Sequence, residues 1–263
     1  MKKCAVINDI SGFGKCSLTA SIPVMSAIGV QVNPVVTGVF TNQTGYDSFQ
    51  STDLTDMLPA VTREWSRLSP HFDGILTGFL LCANQYAHVI DFIDTFKQED
   101  TLLLVDPVMA DDGEIYATYT PEMVEGVKKL CTKADIITPN LTELRILSGE
   151  EDIFSGGEKM LQKGIKSVIV TGVVEGEEIS NYVFHNGTAK KYKTEFIKNA
   201  KEGGSFSGTG DIFSSFVLGK ILNGFSVFEA VEQAVEFIGK AIKSSDIKNR
   251  NDGIDFEPFL KNI

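Results

Sequence analysis

Short apolar segments that alternate with amphipathic segments constrain the fold of this chain most. Buried strands are predicted for residues 3–8, 31–37, 74–77, 101–106, 135–138 and 167–171. Helices are predicted, from the 3–4 residue spacing of their apolar side chains, for residues 16–28, 54–68, 84–96, 120–131, 141–148 and 155–163. Strands that are apolar throughout are buried on both faces, as in parallel sheets. The alternation therefore predicts an α/β fold with a mostly parallel central sheet and helices on both of its faces.

The pattern changes in the last third of the chain. Two short segments of β character, 181–185 and 189–196, are joined by Asn186-Gly187, which favours an antiparallel hairpin at the edge of the sheet. Two further helices are predicted for residues 210–223 and 226–244. Residues 38–52, here called the flap, are polar and irregular after the second strand, which is typical of a binding loop. No repeat or linker divides the chain, so a single domain over 1–263 is expected.

Charge and cysteine usage exclude several classes of function. The chain carries 35 acidic and 24 basic residues and a formal net charge of −11, which disfavours a nucleic-acid or anionic-membrane binder. Its four cysteines show no CxxC spacing, which argues against a zinc site or a disulfide framework and fits a reducing cytoplasm. No stretch approaches the roughly 18 apolar residues of a membrane span. A cytoplasmic protein that binds small molecules is expected.

A glycine-rich segment lies directly before the first of the two C-terminal helices. It begins at Gly203-Gly204-Ser205 and ends at Gly208-Thr209-Gly210-Asp211. The first N–H groups of a helix have no intrahelical partner, so a glycine-rich approach to them suits a phosphate. A carboxylate at such a site, here Asp211, could act as a general base that takes the proton of an alcohol as the alcohol attacks phosphorus. The alternative is a glycine-rich turn in which Asp211 caps the helix.

Polar side chains also follow two of the predicted strands. Asp106 ends an apolar strand and is followed by Asp111 and Asp112, so this segment could hold Mg²⁺ or be a solvated loop. Asn140 and Glu143 begin a helix, where they could form a capping box or hold a metal-bound water. The carboxyl ends of parallel strands share one edge, where α/β sheets bind ligands, so these groups are expected to converge with the glycine-rich segment.

The loop after the first strand, Asp9-Ile10-Ser11-Gly12-Phe13-Gly14-Lys15, does not match the common nucleotide motifs. In the P-loop pattern, Asp9 stands where the first glycine belongs and Cys16 where Ser or Thr belongs. In the dinucleotide pattern, Ser17 replaces the third glycine. A hydrolase is also disfavoured, because no Gly-x-Ser-x-Gly elbow occurs and none of the three histidines is near these motifs. What remains is a ligand-binding loop at the edge of the sheet.

Together, the segments 208–211 (GTGD), 140–143 (NLTE) and 106–109 (DPVM) resemble the ribokinase superfamily over nearly the whole chain. Within that superfamily, residues 40–46 (FTNQTGY) are similar to the F(S/T)NxTxY segment of pyridoxal kinases, and residues 76–79 and 136–140 match the same branch. The resemblance implies a ribokinase-like fold. It also implies ATP-dependent phosphorylation of the 5′-hydroxymethyl group of a B6 vitamer.

The resemblance also implies roles for individual residues. Asp211 would be the general base, and Gly208, Thr209 and Gly210 would offer N–H groups to the transferring phosphate. Residues expected around the nucleotide are Asp106, Tyr116, Thr138, Asn140, Glu143 and Thr171, with Asp111 and Glu143 near Mg²⁺. Asn8, Thr44 and Phe79 would contact the vitamer; Asn8 and Phe79 stand where pyridoxal kinases commonly carry Ser and Tyr. ATP, Mg²⁺, a monovalent cation such as K⁺ and a homodimer are the implied cofactors and partners.

Three other functions stay open at this point. Residues 9–14 (DISGFG) resemble the opening of hydroxymethylpyrimidine kinases, which phosphorylate a similar hydroxymethyl group on a flat ring. The 40–46 segment favours a B6 vitamer over the pyrimidine, because the flap should cover the substrate. A sugar kinase would need more polar side chains in the first loop. A non-catalytic ligand-binding relative is the remaining alternative, and the intact Asp211 argues against it.

Overall fold

A nine-stranded sheet organises the computed structural model, which describes residues 1–197, 206–246 and 249–263. The strands of this described part are β1 (Lys2–Ser11), β2 (Val30–Phe40), β3 (Ser51–Asp53), β4 (Gly74–Thr77), β5 (Leu102–Val105), β6 (Ala110–Asp111), β7 (Glu114–Ile115), β8 (Ile136–Ile137), β9 (Ser167–Glu175), β10 (Glu178–His185) and β11 (Thr188–Glu195). The large sheet has the order β11-β10-β9-β8-β5-β4-β1-β2-β3, and β6 and β7 form a separate hairpin. Strands β2, β1, β4, β5, β8 and β9 are parallel.

Helices cover both faces of the sheet. They are α1 (Ser17–Ala27), α2 (Leu58–Leu68), α3 (Ala83–Phe96), α4 (Pro121–Cys131), α5 (Leu141–Ser148), α6 (Ile153–Gln162), α7 (Thr209–Leu222) and α8 (Val227–Ser244). Apolar residues of α2 to α6 share one core with Ala5 and Ile7 of β1, whereas α1, α7 and α8 share the other with Cys4 and Val6. Successive side chains of a strand point to opposite faces, so one strand serves both cores. The predicted α/β fold is confirmed.

The edges of the sheet are antiparallel, as predicted for the late hairpin. β10 pairs with both β9 and β11. At the other edge, β3 pairs with the end of β2, which the sequence did not predict. The flap is therefore the end of a hairpin rather than an irregular excursion. The hairpin of β6 and β7 is likewise regular, where a solvated loop was the alternative.

The first strand is longer than predicted, and this moves the start of the first loop. β1 continues through Asp9 to Ser11, and its register with β2 shifts between Asn8 and Ile10. Across this shift β2 contributes one more residue than β1, which is a β-bulge. Asn8 and Asp9 therefore lie on a rigid strand of the sheet.

Three of the predictions from the sequence are outside what the sheet and helices show. Gly203, Gly204 and Ser205, the first part of the predicted glycine-rich segment, lie outside the described residues. Within the described part, no helix is long and apolar enough to cross a membrane. The single domain predicted for 1–263 stays a prediction.

Candidate active site

The helix predicted to follow the glycine-rich segment begins at Thr209, directly after Gly208. Gly208 precedes the helix with φ 78°, in the left-handed region that favours glycine. A Cβ atom here would lie 1.8 Å from the carbonyl oxygen of Lys15, so no other residue fits without a shift of the backbone. The N–H of Ile212 donates to the Gly208 carbonyl at 3.0 Å. The N–H groups that precede Ile212 lie at the helix terminus, where they suit an anion.

The Asp211 carboxylate is held by two N–H donors, and we call Asn8, Ser17 and Asp211 the base pocket. Asn8 Nδ2 donates to Asp211 Oδ1 at 2.9 Å, and the backbone N–H of Ser17 donates to Oδ2 at 2.8 Å. Burial raises the pKa of Asp211 to about 6, and the charge of Asp9 raises it further, against the effect of the two donors. A pKa in this range is suited to a general base.

Ser17 is a residue of the base pocket that the sequence did not reveal. It starts α1 with φ 52°, an uncommon backbone conformation for a residue other than glycine. Backbone strain of this kind clusters at functional sites. Here the conformation directs the Ser17 N–H at Asp211. No residue type announces such a conformation, so only the structure could identify it.

Asn8 contacts Asp211, and its side chain is fixed by further hydrogen bonds to the backbone. Its Oδ1 accepts the N–H of Asp9 and the N–H of Phe79, both at 3.0 Å. The side chain is buried, and a Cβ on Gly78 would lie 2.4 Å from Asn8 Nδ2. Gly78 therefore makes room for Asn8.

Asp106 lies between the base pocket and the start of α5. Its N–H donates to the Thr77 carbonyl at 2.9 Å, immediately after β5. Burial raises the pKa of Asp106 to about 7, and the negative charge of Asp211 adds to the effect. Burial also raises the pKa of Glu143, with the charge of Asp106 second. Carboxyl groups with raised pKa values at one edge of a sheet point to a functional site.

Asn140 and Glu143 form the capping box that was one of the two interpretations of their spacing. The Asn140 side chain accepts the N–H of Glu143, and Glu143 Oε2 accepts the N–H of Asn140, each at 2.9 Å. Glu143 Oε1 also accepts the N–H of Met109 at 3.0 Å. Both carboxylate oxygens of Glu143 are thus used by the backbone. The described residues include no group of three or more His, Cys, Asp or Glu side chains that could hold a metal ion.

The remaining residues expected around the nucleotide lie at the same edge. Thr171 forms a parallel bridge with Asn140, and its N–H donates to the Pro139 carbonyl at 2.8 Å. The Thr138 hydroxyl is buried, and its interaction with the Asp106 carboxylate lowers the pKa of that group, against the larger effect of burial.

Asp111 and Tyr116 are carried by the hairpin of β6 and β7. Asp111 Oδ1 accepts the N–H of Asp112 at 3.0 Å. The Tyr116 N–H donates to the Met109 carbonyl at 3.0 Å, and its ring contacts that of Tyr119. Met109 thus links this hairpin to Glu143.

Of the two other residues expected at the vitamer, Phe79 contacts Asn8 of the base pocket, and Thr44 lies in the flap. Phe79 bonds Asn8 through its N–H, and its ring lies 6.1 Å from the ring of Phe40. Thr44 is exposed in the flap, and no hydrogen bond joins its side chain to another described residue. The Gln43 N–H, next to it, donates to the Phe13 carbonyl at 2.8 Å.

A C-terminal segment that the sequence analysis missed, residues 249–257, connects the flap to α7; we call it the strap. Asn251 Nδ2 donates to the Gly45 carbonyl at 2.8 Å, and Asn251 Oδ1 accepts the Ser207 hydroxyl at 3.2 Å. The Tyr46 hydroxyl bonds Asp252. The turn sequence Asn251-Asp252-Gly253 is the signal that could have marked it.

The strap also holds the first loop. Lys15 Nζ pairs with Asp255 at 2.5 Å and Glu257 at 3.0 Å. The Ser207 N–H donates to the Arg250 carbonyl at 3.1 Å. One segment thus contacts the flap, the first loop and the approach to α7.

Comparison with known proteins assigns the family. A sequence model of the phosphomethylpyrimidine kinase family matches residues 14–254. The chain belongs to this family. The match covers α1, strands β2 to β11 and α7; it begins after β1, the strand that carries Asn8 and Asp9.

Individual relatives include pyridoxal kinases. The chain is 26% identical to pyridoxal kinase PdxY of Aliivibrio fischeri over 257 residues, which is 89% of this chain and 86% of that one. It is 29% identical to the human pyridoxal kinase over 216 residues, covering 74% of this chain and 69% of that one. These matches confirm the predicted resemblance, and with it a kinase that transfers phosphate to an alcohol.

A solved structure is similar over almost the whole chain. It is a Bacteroides thetaiotaomicron protein assigned as a phosphomethylpyrimidine kinase, in an orthorhombic crystal form with pyridoxal. The TM-score is 0.92 at 36% identity, and the match covers 99% of this chain and 95% of that one. The ribokinase-like architecture is confirmed.

Proposed function

We propose that this protein uses ATP to phosphorylate the 5′-hydroxymethyl group of a B6 vitamer. The observation that carries the proposal is the Asp211 carboxylate, fixed by Asn8 and Ser17 at the first turn of α7. The pyridoxal kinases among the relatives, and the Bacteroides structure with pyridoxal, support the choice of substrate.

The arrangement supplies what an alcohol-to-phosphate transfer requires. Asp211 takes the proton of the substrate hydroxyl as its oxygen forms a bond to the γ-phosphorus, and the bond from that phosphorus to the ADP oxygen breaks. The N–H groups of Gly210 and its neighbours at the α7 terminus face the charge that develops on the phosphoryl oxygens. Phe79 offers an apolar wall for a flat ring beside the base.

The proposed site for ATP and a divalent cation lies at the ends of β5, β8 and β9, at the same edge of the sheet as the base pocket. We propose that Asp106, Tyr116, Thr138, Asn140 and Thr171 line the nucleotide site: the Thr138 hydroxyl interacts with Asp106, and Asn140 is bridged to Thr171. We propose that Asp111 and Glu143 would hold Mg²⁺ at this edge, where the backbone already bonds both oxygens of Glu143. Bound Mg²⁺ would neutralise phosphate charge. A monovalent cation such as K⁺ is part of the same proposal.

The cation requirement has a direct test. Excess EDTA should abolish ADP formation, and added Mg²⁺ should restore it. Glu143→Gln should raise the Mg²⁺ concentration needed for half-maximal rate. Full activity in EDTA would contradict the proposal.

Hydroxymethylpyrimidine is the second candidate substrate. It is favoured by the family match and by the first loop, where Ser11 Oγ donates to the buried Asp9 carboxylate at 3.0 Å. The two substrates share a hydroxymethyl group on a flat ring, so the base pocket alone does not separate them.

The test is kcat/KM for pyridoxal, pyridoxine, pyridoxamine and hydroxymethylpyrimidine on one preparation, measured as ADP release. A B6 vitamer should be the best acceptor. If the pyrimidine is better by about tenfold or more, the second candidate is correct. If no acceptor stimulates ADP release, the non-catalytic alternative is correct.

The proposal includes a homodimer in the cytoplasm. All four cysteines are free, as expected in a reducing compartment. Light scattering of the purified protein would measure its mass in solution.

A further inference from the structure

Asn8 has a fixed orientation that the contacts around it define. Its Oδ1 accepts two backbone N–H groups, from Asp9 and Phe79. A carboxamide NH₂ group could not accept either of them. The oxygen must therefore face these two groups, and Nδ2 must face Asp211 at 2.9 Å. The two backbone donors thus decide which end of the side chain meets the base.

The titratable groups near Asp211 oppose its negative charge, whereas the N-terminus of α7 favours it. Asp9 on β1 and Asp106 after β5 are both acidic, and the Cys16 thiol, before α1, is within electrostatic range. On the favourable side stand the two donors, Asn8 Nδ2 and the Ser17 N–H. A hydrogen bond to a buried charge is stronger than one between neutral groups.

We propose that Asn8 is a positioning residue for Asp211: it holds Oδ1 of the base in place and favours its ionised form, rather than contacting the substrate ring. The inference rests on the proposed function for the role of Asp211. It replaces the expectation that Asn8 contacts the ring. The substrate ring is then left to Phe79 and the flap.

The two roles predict different kinetics. If Asn8 positions the base, Asn8→Ala should lower kcat by roughly 10- to 100-fold and leave KM for the acceptor within about threefold. The acid limb of the kcat/KM profile should move to higher pH by about one unit or more. Asn8→Asp should move it further, because a second carboxylate then faces Asp211.

Thr37→Val is the matched control. Thr37 is also fully buried, and its hydroxyl donates to the Phe79 carbonyl at 3.2 Å. The Thr37→Val substitution therefore removes a neighbouring hydrogen bond and leaves the contacts of Asp211 unchanged. Its pH profile should match that of the wild type. If Asn8→Ala does not fold, Asn8→Ser keeps a polar group too short to reach the base and takes its place.

A second readout does not depend on turnover. The carboxyl ¹³C resonance of Asp211, assigned by its loss in Asp211→Asn, can be titrated in the free protein. Its pKa should be higher in the Asn8 variant than in the wild type. An unchanged titration together with a loss confined to KM would overturn the proposal. Wild-type protein that phosphorylates no B6 vitamer would contradict the proposed function alone, because the titration does not use substrate.

Discussion

The base pocket and the flap differ in how they are held. Asn8 is 2% exposed and makes hydrogen bonds to the base and to two backbone groups, whereas Thr44 is exposed and its neighbours in the flap bond the first loop and the strap. Buried hydrogen bonds to a charge are strong and poorly tolerant of change, and exposed loop contacts are weaker and can open. Under the proposed function, the catalytic groups lie on strands and helix termini, and the flap that would cover the substrate is the end of a hairpin held by a few contacts.

The largest effect should come from the base itself. Asp211→Asn keeps the shape of the side chain and removes its basicity, so kcat should fall by roughly 10²- to 10⁴-fold. ATP binding, measured by calorimetry, should be unchanged. Near-normal turnover would remove Asp211 from the mechanism and end the distinction between the two regions.

Activity should depend on the ionisation of the base pocket. Because the pKa of Asp211 is raised to about 6, kcat/KM should rise with pH through this region and level off above it. Between pH 7 and pH 5, a fall of roughly tenfold is expected for one group of this pKa. A profile that is flat down to pH 4.5 would show that another group accepts the proton.

The buried carboxyl group of Asp106 should also affect the free energy of unfolding, and the direction of the effect depends on pH. The pKa of Asp106 is raised from 3.8 to about 7, so its contribution to stability is present below the unfolded pKa and is lost as pH rises through about 7. Asp106→Asn should therefore stabilise the free protein at pH 8 by about 1–3 kcal/mol, and by much less at pH 5.

Urea unfolding at the two pH values measures this difference. Asp112→Asn is the control, because Asp112 is exposed and Asn tolerates its left-handed backbone. A destabilised Asp106→Asn at pH 8 would contradict the sign. A single transition would also support the single domain predicted for 1–263.

The flap should affect acceptor use and leave the base unchanged. Thr44→Val should lower kcat/KM for the vitamer by about 1–3 kcal/mol without changing KM for ATP. The expected loss assumes that the exposed Thr44 contacts the bound substrate when the flap closes. An unchanged kcat/KM would remove Thr44 from recognition.

The strap should give the smallest effect. Asn251→Ala removes the bonds from Asn251 to Gly45 and Ser207, each worth about 1 kcal/mol. KM for the acceptor should rise about 3- to 10-fold, with the pH profile unmoved. Asn249→Ala, which removes a bond within the strap to the Asn251 N–H, is the control. A shift of the acid limb in Asn251→Ala would mean that flap and base pocket are coupled.

Several features were determined by the sequence itself, because their physical causes are local. Strands of a parallel sheet must be apolar along their length, so the alternation of elements predicted the fold. The capping box of Asn140 and Glu143 depends on a spacing of three residues, and the glycine-rich approach to Asp211 depends on adjacent residues. Each of these features follows from residues that are neighbours along the chain.

Other features were decided by the tertiary structure alone. Asn8 and Asp211 are separated by 203 residues, and their contact exists because β1 and the start of α7 meet at one edge of the sheet. The pairing of β3 with β2 and the contacts of Asn251 depend in the same way on distant segments. The type of a residue determines which hydrogen bonds its side chain can form, but the tertiary structure determines which partner lies within reach. That is why the contact between Asn8 and Asp211 could not be predicted from the sequence.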